Sequence, residues 1–247
     1  MKDKKNISKR SIPTQSDLNW RKDFLSSIKQ RTFDNDYTSA PLLEHGNSKI
    51  GFASESYDVV FVWNLPAVLT CPSASTWCLT NCYNADHRLE KFPLDLWYKN
   101  LLYFQQNELE LEEVIVKKLL QPNKRIAVRI HSSGDFFSND YIKFWIRIIS
   151  KTPSVKYWSY TRSWTNAVLF ENLKTLKELT NIQLFASWDD TMPTLPSGWR
   201  KSIVYSNLSL NISGGIICPE QNGSMPNCAT CNYCITKDHG DIYFILH

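Results

Sequence analysis

The run Arg125-Ile-Ala-Val-Arg-Ile-His-Ser-Ser-Gly-Asp-Phe136 decides the fold. It follows the breaker Pro122-Asn123. Its first half is rich in β-branched residues and reads as a buried strand. Its second half is small and polar, and reads as the loop leaving the strand's carboxyl end. The same unit recurs on either side. Upstream, Asp58-Val-Val-Phe-Val-Trp63 runs into a loop holding Cys71. Downstream, a strand over residues 155–160 ends in Thr161-Arg-Ser-Trp164, and one over 182–187 ends in Trp188-Asp-Asp190. Residues 202–208 and 241–246 predict two further strands. Apolar spacing of three to four predicts helices over 96–106, 109–120, 141–150 (capped by Asn139 or Asp140) and 166–179. Strand, loop and helix alternating every 30 residues or so predict an α/β fold. Its parallel sheet of repeated βα units would form a partial or complete barrel. The polar strand ends then share one face, where ligand sites of such sheets lie.

Composition agrees and excludes several classes. The chain has 247 residues, 43% hydrophobic and 21% charged, which is a globular balance. No apolar run reaches 18 residues, so no spanning helix is predicted. The first twenty residues are basic without an apolar core segment, so the expectation is a cytoplasmic protein, not a secreted one. Residues 1–32 carry nine Lys/Arg against three Asp/Glu, while the rest carries 19 against 21. The basicity sits in a flexible arm, with a helix expected around 18–30, and nucleic acid is the partner it would contact. Three regions result: the arm 1–32, an α/β domain 33–210, and a cysteine-rich region 211–247.

Seven cysteines fall into two sets. Cys71, Cys78 and Cys82 occupy the loop after the first strand, spaced Cys-x6-Cys-x3-Cys. Three thiolates around a four-iron cluster leave one iron open, whereas His87 would complete a Cys₃His zinc site. Cys228, Cys231 and Cys234 form Cys-x2-Cys-x2-Cys, and Cys218 supplies a fourth thiolate. Four ligands close that site, as a second [4Fe-4S] cluster or as zinc. His239, nearby, reads as an exposed histidine. Arg129, His131 and Arg162 are the catalytic candidates. They would bind a carboxylate or phosphate at the strand ends, with His131 as a proton donor and Arg162 alternatively paired to Asp189 or Asp190. Gly134, one of only eight glycines, would allow close approach of backbone to a ligand. No Walker loop, GxGxxG, HExxH or nucleophile elbow occurs.

The runs Trp63-Asn-Leu-Pro-Ala-Val68, Thr70-Cys71-Pro72, Cys78 to Tyr83, Arg129 to Phe136 and Tyr160-Thr-Arg-Ser-Trp164 resemble the phage "gene product 88" family over about residues 44–235. That family has no established function, and the resemblance implies a host-cytoplasm setting. The layout is also similar, more distantly, to radical S-adenosylmethionine (SAM) enzymes. That similarity implies a [4Fe-4S] cluster with SAM at Cys71, Cys78 and Cys82. It further implies an aromatic Tyr83 beside the last cysteine, Ser133-Gly134-Asp135 gripping the SAM amino group, and Ser187 near the ribose. The C-terminal cysteines resemble an auxiliary cluster. The Cys-x6-Cys-x3-Cys spacing departs from the usual Cys-x3-Cys-x2-Cys. The leading expectation is therefore a radical SAM-like enzyme acting on a nucleotide, nucleic acid or peptide and served by an electron donor. The alternative is a non-catalytic, metal-stabilised protein that binds nucleic acid or a protein partner.

Overall fold

The computed structural model describes residues 42–82, 84, 91–205, 214–236 and 240–245. The basic arm, Tyr83, His87, His239 and the end of the predicted fifth strand lie outside them. Among the described residues no helix is long and apolar enough to cross a membrane.

The elements run β1 (Glu44–His45), β2 (Val59–Trp63), α1 (Thr76–Thr80), α2 (Lys91–Leu119), β3 (Ile126–Ile130), α3 (Asn139–Lys151), β4 (Lys156–Thr161), α4 (Ala167–Lys177), β5 (Ile182–Trp188), β6 (Arg200–Tyr205), β7 (Gly215–Ile217), α5 (Cys228–Cys231) and β8 (Asp241–Ile245). They build one eight-stranded sheet in the order β1-β2-β3-β4-β5-β6-β8-β7. Only the β1–β2 ladder is antiparallel; the others are parallel. The α/β class and the parallel strands are as the sequence predicts. Among the described strands no ladder returns from β7 to β1, so the sheet is open and a complete barrel is not formed. β1 and β7 escape sequence reading because two or three residues carry no periodic signal. The predicted helices over 96–106 and 109–120 abut within α2, where Asn107 leaves helical geometry (φ −140°, ψ 48°).

Strand parity gives each face its own core. Phe61, Trp63, Val128, Ile130, Tyr157 and Leu184 point to one face, where they meet α2, α3 and α4. Helix α3 contributes Tyr141, Ile142, Phe144, Trp145, Ile148 and Ile149, all completely buried, on one stripe. Val60, Val62, Ala127 and Trp158 point to the other face. Among the described residues no long helix covers that side. The loop over residues 46–57 and the cysteine-rich segment cover it instead, through Ile50, Tyr57, Ala229 and Ile235. The Cys228 and Ala229 amides donate to the Lys49 and Ile50 carbonyls (both 2.9 Å), and Tyr57 Oη donates to Asn232 Oδ1 (2.8 Å). Arg200 closes the arrangement. Its guanidinium lies 4.2 Å from the Phe185 ring centroid and donates to the Thr236 and Gly240 carbonyls.

The cap of α3 is Ser138, in place of the expected Asn139 or Asp140. Its hydroxyl accepts the Tyr141 amide (3.2 Å), while Asn139 Oδ1 accepts a bond from Asn172 on α4 (2.7 Å). Ser138→Ala should therefore cost about 1 kcal/mol in urea unfolding, and Ser138→Asp should retain most of it. Equal midpoints for Ser138→Ala and wild type would remove Ser138 from the cap.

Candidate functional site at the strand ends

The site is built where β2 and β3 release the chain. Their two loops zip together. Leu65 N–H donates to Ser133 O (3.0 Å), His131 N–H to Trp63 O (2.8 Å) and Asp135 N–H to Thr70 O (3.1 Å). Asn64 Oδ1 accepts both the Ser132 and Ser133 amides (2.8 and 2.9 Å). Gly134 sits inside this seam at φ +86°, and a Cβ there would lie 2.7 Å from both Leu65 Cβ and Thr70 Oγ1. The glycine is thus required by the first cysteine loop itself. Val68, just before Cys71, also has positive φ (+70°), which is strained for a β-branched residue. Its amide donates to Cys71 Sγ (3.3 Å).

Asp135 is the hub. Its Oδ1 accepts the Phe136 amide (2.7 Å) and the Thr161 hydroxyl (2.6 Å), and its Oδ2 accepts the Arg162 amide (2.8 Å). Burial pushes its carboxyl above the usual range, and these bonds pull it back. Arg162 and Asp189 form a buried ion pair between the ends of β4 and β5, which settles the sequence's choice between Asp189 and Asp190. Burial would raise Asp189, but Thr191, Ser75 and the Arg162 charge together hold it below the ordinary carboxylate range.

Each cysteine of the first set stands next to an anchor onto these ends. Thr70 precedes Cys71 and accepts from Asp135. Ser75 caps α1, which carries Cys78, by accepting the Cys78 amide (3.0 Å). Asn84, two residues after Cys82, donates to Ser132 O (2.6 Å). The thiols feel one another. Burial raises Cys71 well above its ordinary value, with Asp135, Cys78 and Cys82 adding to the rise. Burial lifts Cys78 to about 11, and the Arg162 charge opposes that.

The other candidates scatter. Ser133 is buried and its hydroxyl has no partner among the described residues. Ser187 lies in β5, half-buried, and its carbonyl accepts the Trp164 indole N–H (2.9 Å). His131 turns toward the helix-side core. Its Nε2 lies 2.8 Å from Tyr141 Oη, which also accepts from Trp63 Nε1 (2.8 Å). Arg129 lies on the opposite face of the sheet from the helices.

There it joins the second cysteine set. A small pocket is lined by Cys218, Cys228, Cys231 and Cys234 together with Arg129, Lys49 and Tyr160. The Arg129 guanidinium lies 4.8 Å from the Tyr160 ring centroid, and Tyr160 hydrogen-bonds Cys234. Burial raises Cys228 to about 11 against the pull of Arg129 and Lys49, and Cys234 to about 12 against Tyr160 and Arg200. Four thiols facing several cationic side chains suit an anionic thiolate centre. Among the described residues, however, no three His, Cys, Asp or Glu side chains are arranged to hold a metal ion. Four thiolates around one zinc would stand about 3.8 Å apart, given Zn–S near 2.3 Å. Sequence reading missed Ser75, Asn84, Tyr160 and Lys49. Strand parity was the available signal for Arg129: with Val128 and Ile130 facing the helices, Arg129 faces away.

The chain belongs to the gene product 88 family, whose model matches residues 41–209. It is 26% identical over 216 residues to the "Gene 88 protein" of Mycobacterium phage L5, covering 77% of this chain and 86% of the relative. It is 27% identical over 219 residues to the "Gene 88 protein" of Mycobacterium phage D29, with the same coverage. No solved structure matches.

The environment of His131 gives a pH dependence. Burial, with the Arg129 charge adding, lowers its pKa to about 3. Between pH 6.5 and about 3 the unfolded chain takes up a proton that the folded chain refuses. Acidification through that window therefore destabilises the fold, by up to about 1.4 kcal/mol per pH unit from this group. Urea unfolding at pH 7 and pH 5 should show a smaller loss for His131→Gln than for wild type. Equal losses would mean that His131 does not carry the dependence.

Proposed function

We propose that this is an iron–sulfur protein with radical SAM-like chemistry at the strand ends. The observation that carries the reading is the anchoring of three thiols, one by one, to the carboxyl ends of parallel strands, where ligand sites of such sheets lie. Cys71, Cys78 and Cys82 would hold a cluster there with one iron open. When bound, that cluster with SAM would supply one-electron cleavage of a carbon–sulfur bond. The donor set fits: three half-buried thiols, a strained amide already directed at one sulfur, and the Ser133 hydroxyl in the adjoining loop, which has no partner among the described residues. The residues around it do recognisable work. Asp135 and Asn64 fix the loops, and Arg162 offsets negative charge beside Cys78. Cys218, Cys228, Cys231 and Cys234 would hold the second centre, closed by four sulfurs. Arg129, Lys49 and Arg200 offset its charge. The substrate is a nucleotide, nucleic acid or peptide, and a one-electron donor is required.

A second reading draws on Gly134 and Asp135. Packing against Leu65 and Thr70 and bonds to Thr161 and Arg162 already account for both residues without a ligand. On that reading the protein is metal-stabilised and non-catalytic, and binds nucleic acid or a protein partner.

Anaerobic reconstitution separates the two. Wild type should carry about eight irons and about eight sulfides per chain, and Cys71→Ser/Cys78→Ser/Cys82→Ser about half of each. About two zincs without iron would contradict the iron–sulfur reading.

A further inference from the structure

Ser75, Asp189 and Arg162 make one largely buried network that no ligand is needed to explain. Ser75 Oγ donates to Asp189 Oδ2 (2.7 Å) and accepts the Cys78 amide (3.0 Å). Arg162 Nη1 donates to the same Asp189 oxygen and to Ser75 Oγ (3.4 Å). Thr191 N–H donates to Asp189 Oδ1 (3.0 Å), so the carboxylate is held from both sides. Asp189 is 1% exposed and Arg162 8%. The five-residue α1 is too short to be stable by itself, and its N-cap hydroxyl is the atom that enters the ion pair. The position of Cys78 is thereby set by charges at the ends of β4 and β5, 84 and 111 residues further along the chain.

We propose that Ser75 is a positioning residue, held by the Arg162–Asp189 pair, that presents Cys78 to the strand-end centre. Arg162 is then a support for the cysteine loop and not a substrate ligand. The inference rests on the strand-end reading for its purpose, but its geometry is independent of which metal binds. An arginine alone would carry the charge; the carboxylate adds direction, because it receives Arg162 and Ser75 on one oxygen and Thr191 on the other.

The test uses the full-length, metal-free protein. Alkylation of each cysteine by iodoacetamide is followed by mass spectrometry, alongside iron loading. Ser75→Ala should speed alkylation of Cys78 about fivefold, the opening expected when a helix N-cap is lost. Cys228 and Cys234 should keep their wild-type rates. Ser75→Thr, which retains the hydroxyl, should restore the slow rate. Asp189→Asn should reproduce the Ser75→Ala effect. Iron loading of Ser75→Ala should fall by about the first set's share. An unchanged Cys78 rate in Ser75→Ala, or an equal rise at all seven thiols, would overturn the proposal. A wild type that binds no iron would sink the function proposed above and leave the alkylation comparison intact.

Discussion

The buried Asp135 carboxylate is the interaction on which the strand-end region depends. It sits where β3 ends, and it takes donors from the next turn and from the end of β4. A buried carboxylate left without donors costs several kcal/mol. The chain therefore cannot relax these loops without exposing that cost. Its own amide reaches back to Thr70, one residue before Cys71. One residue, through its carboxylate and its amide, thus couples three consecutive strand ends to the first cysteine. Gly134 completes the coupling, since any Cβ would push the two loops apart.

The two faces of the sheet divide the labour. One is a conventional aromatic and aliphatic core under three helices, with Trp63, Trp145 and Phe144 completely buried. Among the described residues the other is covered by little more than the loop over 46–57 and the cysteine-rich segment. Such a cover buries few apolar groups of its own. A metal centre among Cys218, Cys228, Cys231 and Cys234 would supply the cross-links that a helix supplies on the opposite face. Arg200, stacked on Phe185 and bonded to carbonyls of that segment, does part of the same work without metal.

Much of this fold was readable from β-branched runs broken by polar loops. The central strands are buried on both sides, so they show as continuous apolar stretches, and β2 to β5 emerge within a residue or two of their expected bounds. The gathering of polar residues after each strand was readable too, because parallel strands place their carboxyl ends together. What was not readable is who partners whom. Ser133-Gly134-Asp135 looks like a ligand loop in sequence, and the structure gives Gly134 and Asp135 tasks within the protein. Ser75 and Asp189 lie 114 residues apart, and no local pattern announces that one fixes the other. By sequence position Arg129 belongs with the strand ends, yet pleating sends it to the second cysteine set. The sequence offers His131 for proton transfer, whereas the fold buries it against Tyr141 and disfavours its charged form.

Radical chemistry at the strand ends requires that Cys71, Cys78 and Cys82 hold an iron open to a ligand. The most direct measurement is the electron paramagnetic resonance spectrum of the anaerobically purified, dithionite-reduced protein, recorded with and without SAM. The account predicts signals from two reduced clusters, one of which shifts on adding SAM and is absent from Cys71→Ser/Cys78→Ser/Cys82→Ser. Two cluster signals that ignore SAM, or no cluster signal at all, would contradict it.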